Sequence, residues 1–421
     1  MPAVASATVA GIVREGGRLF WDHVSLEEAG REFGTPLYVY SREALVSAYA
    51  AFDAAFAAVP HAIHYALKAN ATLAILRVLS SLGAGADIVS GGELEAALRA
   101  GFPPSRIVFS GVGKTDEELR LGLARGVGVF NVESEEEILR LDGIAREMGT
   151  VASVSLRVNP AIDPRSHPYI STGLRESKFG VEIAQAPRIV QHAHALPGVR
   201  IVGMQCHIGS QVLDLEPMAE AASALGALSR QLLREGIPLE TVDLGGGLGL
   251  DYAREGESDP VGLAARVLPA LGALPLTLLL EPGRALVGAA GVLLTKVVGQ
   301  KENGGRRFVI VDAGMNDLVR PALYGAFHRV DAVLSRGGPT SRVDVVGPVC
   351  ETADFLARDR DLEPVAVGDL LAVRDVGAYG FSMSSRYNMR PRAAEVLIEK
   401  GRVRLVRRRE NFDDLVSAEV D

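Results

Sequence analysis

Two cysteines, Cys206 and Cys350, are too few for a disulfide framework in a chain of 421 residues. That scarcity fits a reducing compartment, and a cytoplasmic location is expected. Long apolar runs are missing too: none reaches the roughly 18 residues of a membrane span. The segment LPLTLLLEPGRALVGAAGVLL (274–294) comes nearest, but Pro, Glu and Arg interrupt it. The N-terminal stretch has neither the basic region nor the apolar core of a secretory leader. Positive charge is in deficit, with 44 Lys and Arg against 52 Asp and Glu, so nucleic acid is not an expected partner. The basic run RVRLVRRRE (402–410) alternates with apolar residues and reads as the solvated face of an edge strand. Internal repeats and low-complexity segments are absent, and no metal centre is expected.

What is present is apolar residue in quantity, 48% of the chain, enough for a large core. The length favours two domains. From residue 37 to 285 a short apolar run, a turn and an amphipathic helix recur. The runs are AIHYAL (62–67), ADIVS (86–90), RIVFSG (106–111), VGVFNV (127–132), VSLRVN (154–159), RIVGMQCHI (200–208), TVDLGG (241–246) and LTLLLEP (276–282). Apolar runs without alternation suit parallel strands covered on both faces. Eight such units predict a (β/α)8 barrel. A doubly wound sheet is the alternative, but no GxGxxG follows the first strand. After residue 286 the texture changes to Val-rich strands broken by Gly, Pro and charged turns, as in GVLLTKVVGQ (291–300) and RRFVIVDAG (306–314). That predicts a β-sandwich or β-barrel-like domain. The hairpin-like GIVREGGRLFWDHVS (11–25), turning at Gly16-Gly17, is assigned to it. The β domain is therefore discontinuous, 1–36 with 286–421, around a barrel at 37–285.

The C-terminal ends of barrel strands carry active-site groups. HAIHYALKAN (61–70) delivers Lys68 to such an end. A lysine that loses hydration there has a nucleophilic amine suited to an aldehyde. DLGGGLG (243–249) sets Gly245, Gly246 and Gly247 between strand and helix, where backbone N–H groups can cradle a phosphate. In EPGR (281–284), Glu281 can hold a pyridine nitrogen protonated, or merely pair with Arg284. His207 of HIGSQ (207–211) can lie flat on a ring or be a buried structural histidine. Each feature alone is ordinary. A lysine, a phosphate loop and a carboxylate for a pyridinium together describe pyridoxal 5′-phosphate.

YALKAN (65–70), SKFG (177–180), HIGSQ, GGGLG, EPGR, CETAD (350–354) and GAYGFSMSSRYN (377–388) occur in an order that resembles the diaminopimelate decarboxylases. These belong to the alanine-racemase-like, fold type III pyridoxal-phosphate enzymes. The resemblance covers essentially the whole chain and implies a barrel plus a β domain. It implies that Lys68 carries the cofactor and that His207 stacks on its ring. Ser210, Gly246, Gly247, Glu281, Gly283, Arg284 and Tyr379 would complete the cofactor site, with Glu281 at the ring nitrogen. Cys350 would be the proton donor. A homodimer with shared active sites is also implied. CETAD departs slightly, since the family more often has Ser and Gly at Thr352 and Ala353.

The same scaffold serves ornithine and arginine decarboxylation, so substrate choice is a separate question. Meso-diaminopimelate carries a second amino-acid head. Arg284, Arg320 and Tyr324 are candidates for its carboxylate, Glu351 for its ammonium, with Tyr379 nearby. An arginine fork matches a carboxylate bidentately. Polyamine-forming relatives have an acidic residue where Arg320 stands. A non-catalytic pyridoxal-phosphate carrier is disfavoured by the β domain and Cys350-Glu351. A racemase is disfavoured by Glu281, because racemases of this fold place an arginine at the ring nitrogen.

Overall fold

Eight short parallel strands run through the first two thirds of the chain: His61–Ala66, Gly85–Ile88, Ile107–Phe109, Val129–Val132, Ala152–Asn159, Val199–Gln205, Thr241–Asp243 and Thr277–Leu280. Each pairs with the next, and the eighth returns to the first with Leu278 opposite His61. The ring is closed, which excludes the doubly wound sheet. This computed structural model describes residues 11–164, 172–173, 176–253 and 257–420.

The alternation of strand and helix follows from local chemistry. Ser90 accepts a bond from the Glu93 N–H at 3.2 Å and caps the helix Gly91–Ala100. Thr115 and Glu118 form a reciprocal capping box on Asp116–Arg125. Ser134 accepts from the Glu137 N–H and caps Glu135–Glu147. Caps of this kind contribute about 1 kcal/mol each. Gly101 and Gly126 end two of these helices in the left-handed region, at φ 92° and 74°. The strand ends are thereby fixed on one rim of the barrel.

The chain divides into two units. The barrel unit holds 49–250 and 258–286; the second holds the stretch up to Ala48, residues 251–257 and everything from Val287 onward. In the second unit the long strand Gly291–Asn303 is the spine. Its first residues pair with Leu37–Tyr40, its middle with Leu370–Val373 and its end with Arg306–Val311. The hairpin Ile12–Glu15 and Arg18–Trp21 turns at Gly16-Gly17 and joins this unit through Leu19 N–H to the Val333 carbonyl at 2.9 Å. Trp21, Leu37, Val39, Leu294, Val396 and Ile398 fill its core. Arg402–Arg407 lies at the edge of the sheet with its arginines exposed, as its alternation predicts.

The strand Leu37–Ser41 departs from the expected boundary at residue 37. It pairs with Gly291–Leu294 and, in parallel, with Ala394–Ile398. All five of its residues are buried. Burial on both faces is also the signature of a barrel strand, so sequence pattern does not separate the two cases.

Candidate active site

The barrel unit brings eight of the expected residues to the C-terminal ends of its strands. Lys68 lies in a single 3-10 turn, Leu67–Ala69, just past the first strand. Its Nζ is 3.0 Å from Oδ2 of Asp87, the next-to-last residue of the second strand. Asp87 is fully buried, whereas the Lys68 side chain is 39% exposed. The expectation of a desolvated lysine is corrected here. The turn carries it to the rim, and a charge partner rather than burial fixes its position.

Glu281 follows the eighth strand and is buried. Asn131 donates to one carboxylate oxygen at 3.0 Å and Gln205 to the other at 3.1 Å. These amides come from the fourth and sixth strands. Burial first, then the neighbouring Asp243 and Asp87, push the Glu281 carboxyl well above the usual range. Burial also lifts Asp243, to about 6. Three buried carboxyls thus converge on a site with one nearby ammonium, Lys68. The salt bridge between Glu281 and Arg284, considered from the sequence, gives way to another arrangement. Arg284 Nη2 donates to Ser210 Oγ at 3.0 Å.

His207 follows the sixth strand. Its Nδ1 accepts a bond from the Gly246 N–H at 3.2 Å, so the proton of the neutral ring sits on Nε2. Burial, with the charges of Arg157 and Lys68, drives its pKa far down. A neutral imidazole results, able to lie flat on an aromatic ring. Arg157 braces this corner: it pairs with Glu133 at 2.8 Å, and its guanidinium stacks 4.6 Å from the Phe179 ring. Glu133 in turn accepts from Gly180 N–H at 2.7 Å, which anchors SKFG (177–180).

The glycine triplet is required by space. A Cβ on Gly246 would stand 2.2 Å from the Glu281 carbonyl oxygen. One on Gly247, whose φ is 116°, would meet the Gly209 carbonyl at 2.5 Å. Gly245 donates to Asp243 Oδ1 at 2.7 Å. Gly283 packs its bare Cα against Ala66 and Ala69, either side of Lys68.

This arrangement fits a pyridine aldehyde on two grounds. Asp87 Oδ1, Asn131 Oδ1, Gln205 Oε1 and Asp243 Oδ2 are buried and lack a hydrogen-bond partner among the described residues. The excess of carboxyls calls for a cation, which a ring N–H⁺ opposite Glu281 provides. Sequence reading missed Asp87, Asn131, Gln205 and Asp243. Only Asp243 had a signal, as the first residue of DLGGGLG.

The remaining expected residues lie on the second unit. Arg320 opens the short helix Arg320–Tyr324 and is 4% exposed; Tyr324 closes it and is half-buried. Cys350 and Glu351 are exposed. Asp354 supports their loop by accepting from Val349 N–H at 2.5 Å and from Met315 N–H at 2.6 Å. Tyr387 Oη donates to Glu351 at 2.5 Å, and Asn388 Oδ1 accepts from Cys350 N–H at 3.3 Å. Tyr379 adopts φ 56°, a strained left-handed conformation for a tyrosine. The two cysteines differ in kind. Burial pushes the Cys206 thiol up to about 12, so it is inert at neutral pH.

Residues 42–288 match the pyridoxal-binding domain of the pyridoxal-dependent decarboxylases. A diaminopimelate decarboxylase of Pseudomonas aeruginosa is 50% identical over 95% of this chain and 96% of its own. The crystal structure of the diaminopimelate decarboxylase of M. jannaschii in co-complex with L-lysine has a TM-score of 0.93 at 40% identity, covering 98% of both chains. That of Helicobacter pylori complexed with L-lysine gives 0.90 at 43%, covering 93% of this chain and 98% of that one.

Proposed function

The chain belongs to the pyridoxal-dependent decarboxylases, and from that premise we propose that it converts meso-2,6-diaminopimelate to L-lysine and CO2, the last step of lysine biosynthesis. Bound pyridoxal phosphate supplies an aldehyde for the substrate amine and a protonated ring that takes up the electron pair left when CO2 departs. Lys68 would hold the aldehyde, Glu281, crowded by Asp243 and Asp87, would keep the ring nitrogen protonated, and His207 would lie against the ring. Ser210, Gly246, Gly247, Gly283, Arg284 and Tyr379 would complete the cofactor site. Cys350 returns a proton to the carbon that lost CO2. Arg320, with Arg284 and Tyr324, holds the distal carboxylate; Glu351 holds the distal ammonium.

The observation that carries the substrate reading is the buried guanidinium of Arg320 in a chain matched over nearly its whole length by diaminopimelate decarboxylases. A cationic fork suits a substrate ending in a carboxylate and repels one ending in an amine. Such a site can discriminate by roughly 10⁴. The same proposal includes a two-fold homodimer working in the cytoplasm, in which Cys350 and Glu351 complete the partner's site. Their exposure in the single chain supports this. The direct test is CO2 release from meso-diaminopimelate, ornithine and lysine in parallel. Release from the first alone is expected. Comparable kcat/KM on ornithine would make this a decarboxylase of other basic amino acids.

A further inference from the structure

Arg320 is held by an imidazole and an aromatic ring. Its Nη1 lies 2.7 Å from Nε2 of His328, which is fully buried. Its guanidinium carbon lies 4.8 Å from the ring centroid of Tyr252. Tyr252 and His328 meet edge to face, centroids 5.2 Å apart at 71°. On its other side His328 places Nδ1 2.8 Å from the Arg374 carbonyl oxygen. Arg374 is fixed in turn by Asp331, Nε to Oδ2 at 2.7 Å.

These contacts leave the histidine one form. A guanidinium can only donate, and a carbonyl can only accept. His328 therefore carries its proton on Nδ1 and presents a bare Nε2 lone pair to Arg320. The imidazole thereby fixes one edge of the fork through Nη1. Gly325, at φ 60°, ends the helix Arg320–Tyr324 and turns the chain back so that His328 reaches the residue that opened it.

Resting on the reading of Arg320 given above, we infer that His328 is the positioning residue of that arginine: an imidazole bracket that orients it for substrates with a distal carboxylate. Its removal loosens the plane of the fork, and the entropy of ordering it again falls on substrate binding.

The test uses the pyridoxal-phosphate-loaded enzyme and two competing ligands. L-lysine keeps the distal carboxylate; cadaverine lacks it. His328→Asn keeps a donor where Nδ1 stands and loses the acceptor at Nε2. His328→Gln puts a carbonyl oxygen near the Nε2 position. For His328→Asn the inhibition constant for L-lysine should rise about tenfold or more, the range for a hydrogen bond to a charged group. That for cadaverine should be unchanged, and KM should rise with kcat largely kept. His328→Gln should recover most of the loss. Equal loss for both ligands, or equal damage in both variants, overturns the inference. Arg320→Met separates the two layers. If it weakens L-lysine while His328→Asn does not, the positioning role alone fails. If neither variant weakens L-lysine, the carboxylate role of Arg320 fails and takes the inference with it.

Discussion

At the scale of single residues, the site is governed by what surrounds each charge. Glu281 is the clearest case. Its carboxyl is pushed up by burial and by two neighbouring carboxyls, so in the cofactor-free protein its ionisation opposes folding. A raised pKa gives stability that is present at low pH and is lost as pH rises through the folded value. Asp243, lifted to about 6, acts with the same sign. Glu281→Gln removes one of these charges. The cofactor-free variant should hold its Tm better than wild type between pH 5 and 8, while turnover falls on the order of 10²-fold or more. Melting curves across pH and a CO2 assay measure both; a variant that loses Tm more steeply with pH would contradict the charge-crowding account. Lys68 carries its own prediction. Borohydride reduction of the loaded enzyme should fix the cofactor to the peptide containing Lys68, and peptide mapping that finds the label elsewhere would remove the basis of the site.

Much of this site was legible because Lys68, His207, the glycine triplet and Glu281 each sit in a short motif at a strand end. Asp87, Asn131 and Gln205 were not. Each is one polar residue at or next to the end of a strand, and only barrel closure shows that they surround Glu281. His328 lies eight residues after Arg320, yet its role depends on Tyr252 and Arg374, distant in sequence.

At the scale of elements, the glycine loop after the seventh strand tolerates little change. Gly246→Ala sets a methyl 2.2 Å from a backbone oxygen, and backbone cannot swing aside as a side chain can. The cost should be about 2–4 kcal/mol, typical of overpacking against a rigid neighbour. Loss of cofactor affinity should exceed the loss of global stability, because the loop must move away from Glu281. Cofactor titration followed by absorbance, beside chemical denaturation, distinguishes the two. Unchanged affinity would show that the phosphate does not use this loop. The eight barrel strands were readable as elements because each is an apolar run between a Gly or polar cap and a helix. Leu37–Ser41 has the same texture for a different reason: it is the buried centre of another sheet.

At the scale of the whole molecule, the proposed homodimer makes a quantitative claim. Lys68→Ala and Cys350→Ala should each be nearly inactive alone. If Cys350 serves the partner's site, a mixed dimer has one doubly damaged site and one intact site. Random reassociation then returns activity to roughly a quarter of wild type, from two-fold symmetry alone. A mixture that demonstrably exchanges subunits but stays inactive would put Cys350 in its own subunit's site.

Leu37–Ser41 also sets an order of events during synthesis. It leaves the ribosome before any barrel strand, fully buried in the finished fold and with neither of its sheet neighbours yet made. One neighbour, Gly291–Leu294, arrives only after the eighth barrel strand; the other, Ala394–Ile398, comes among the last residues. The barrel segments can pair as they emerge, each with the strand just before it. One edge of Leu37–Ser41 must wait for the end of the chain. For that interval it is an unpaired edge of the kind that seeks foreign partners. A nascent chain stalled before residue 291 therefore leaves both edges of this strand open, and one stalled between 294 and 394 still leaves one.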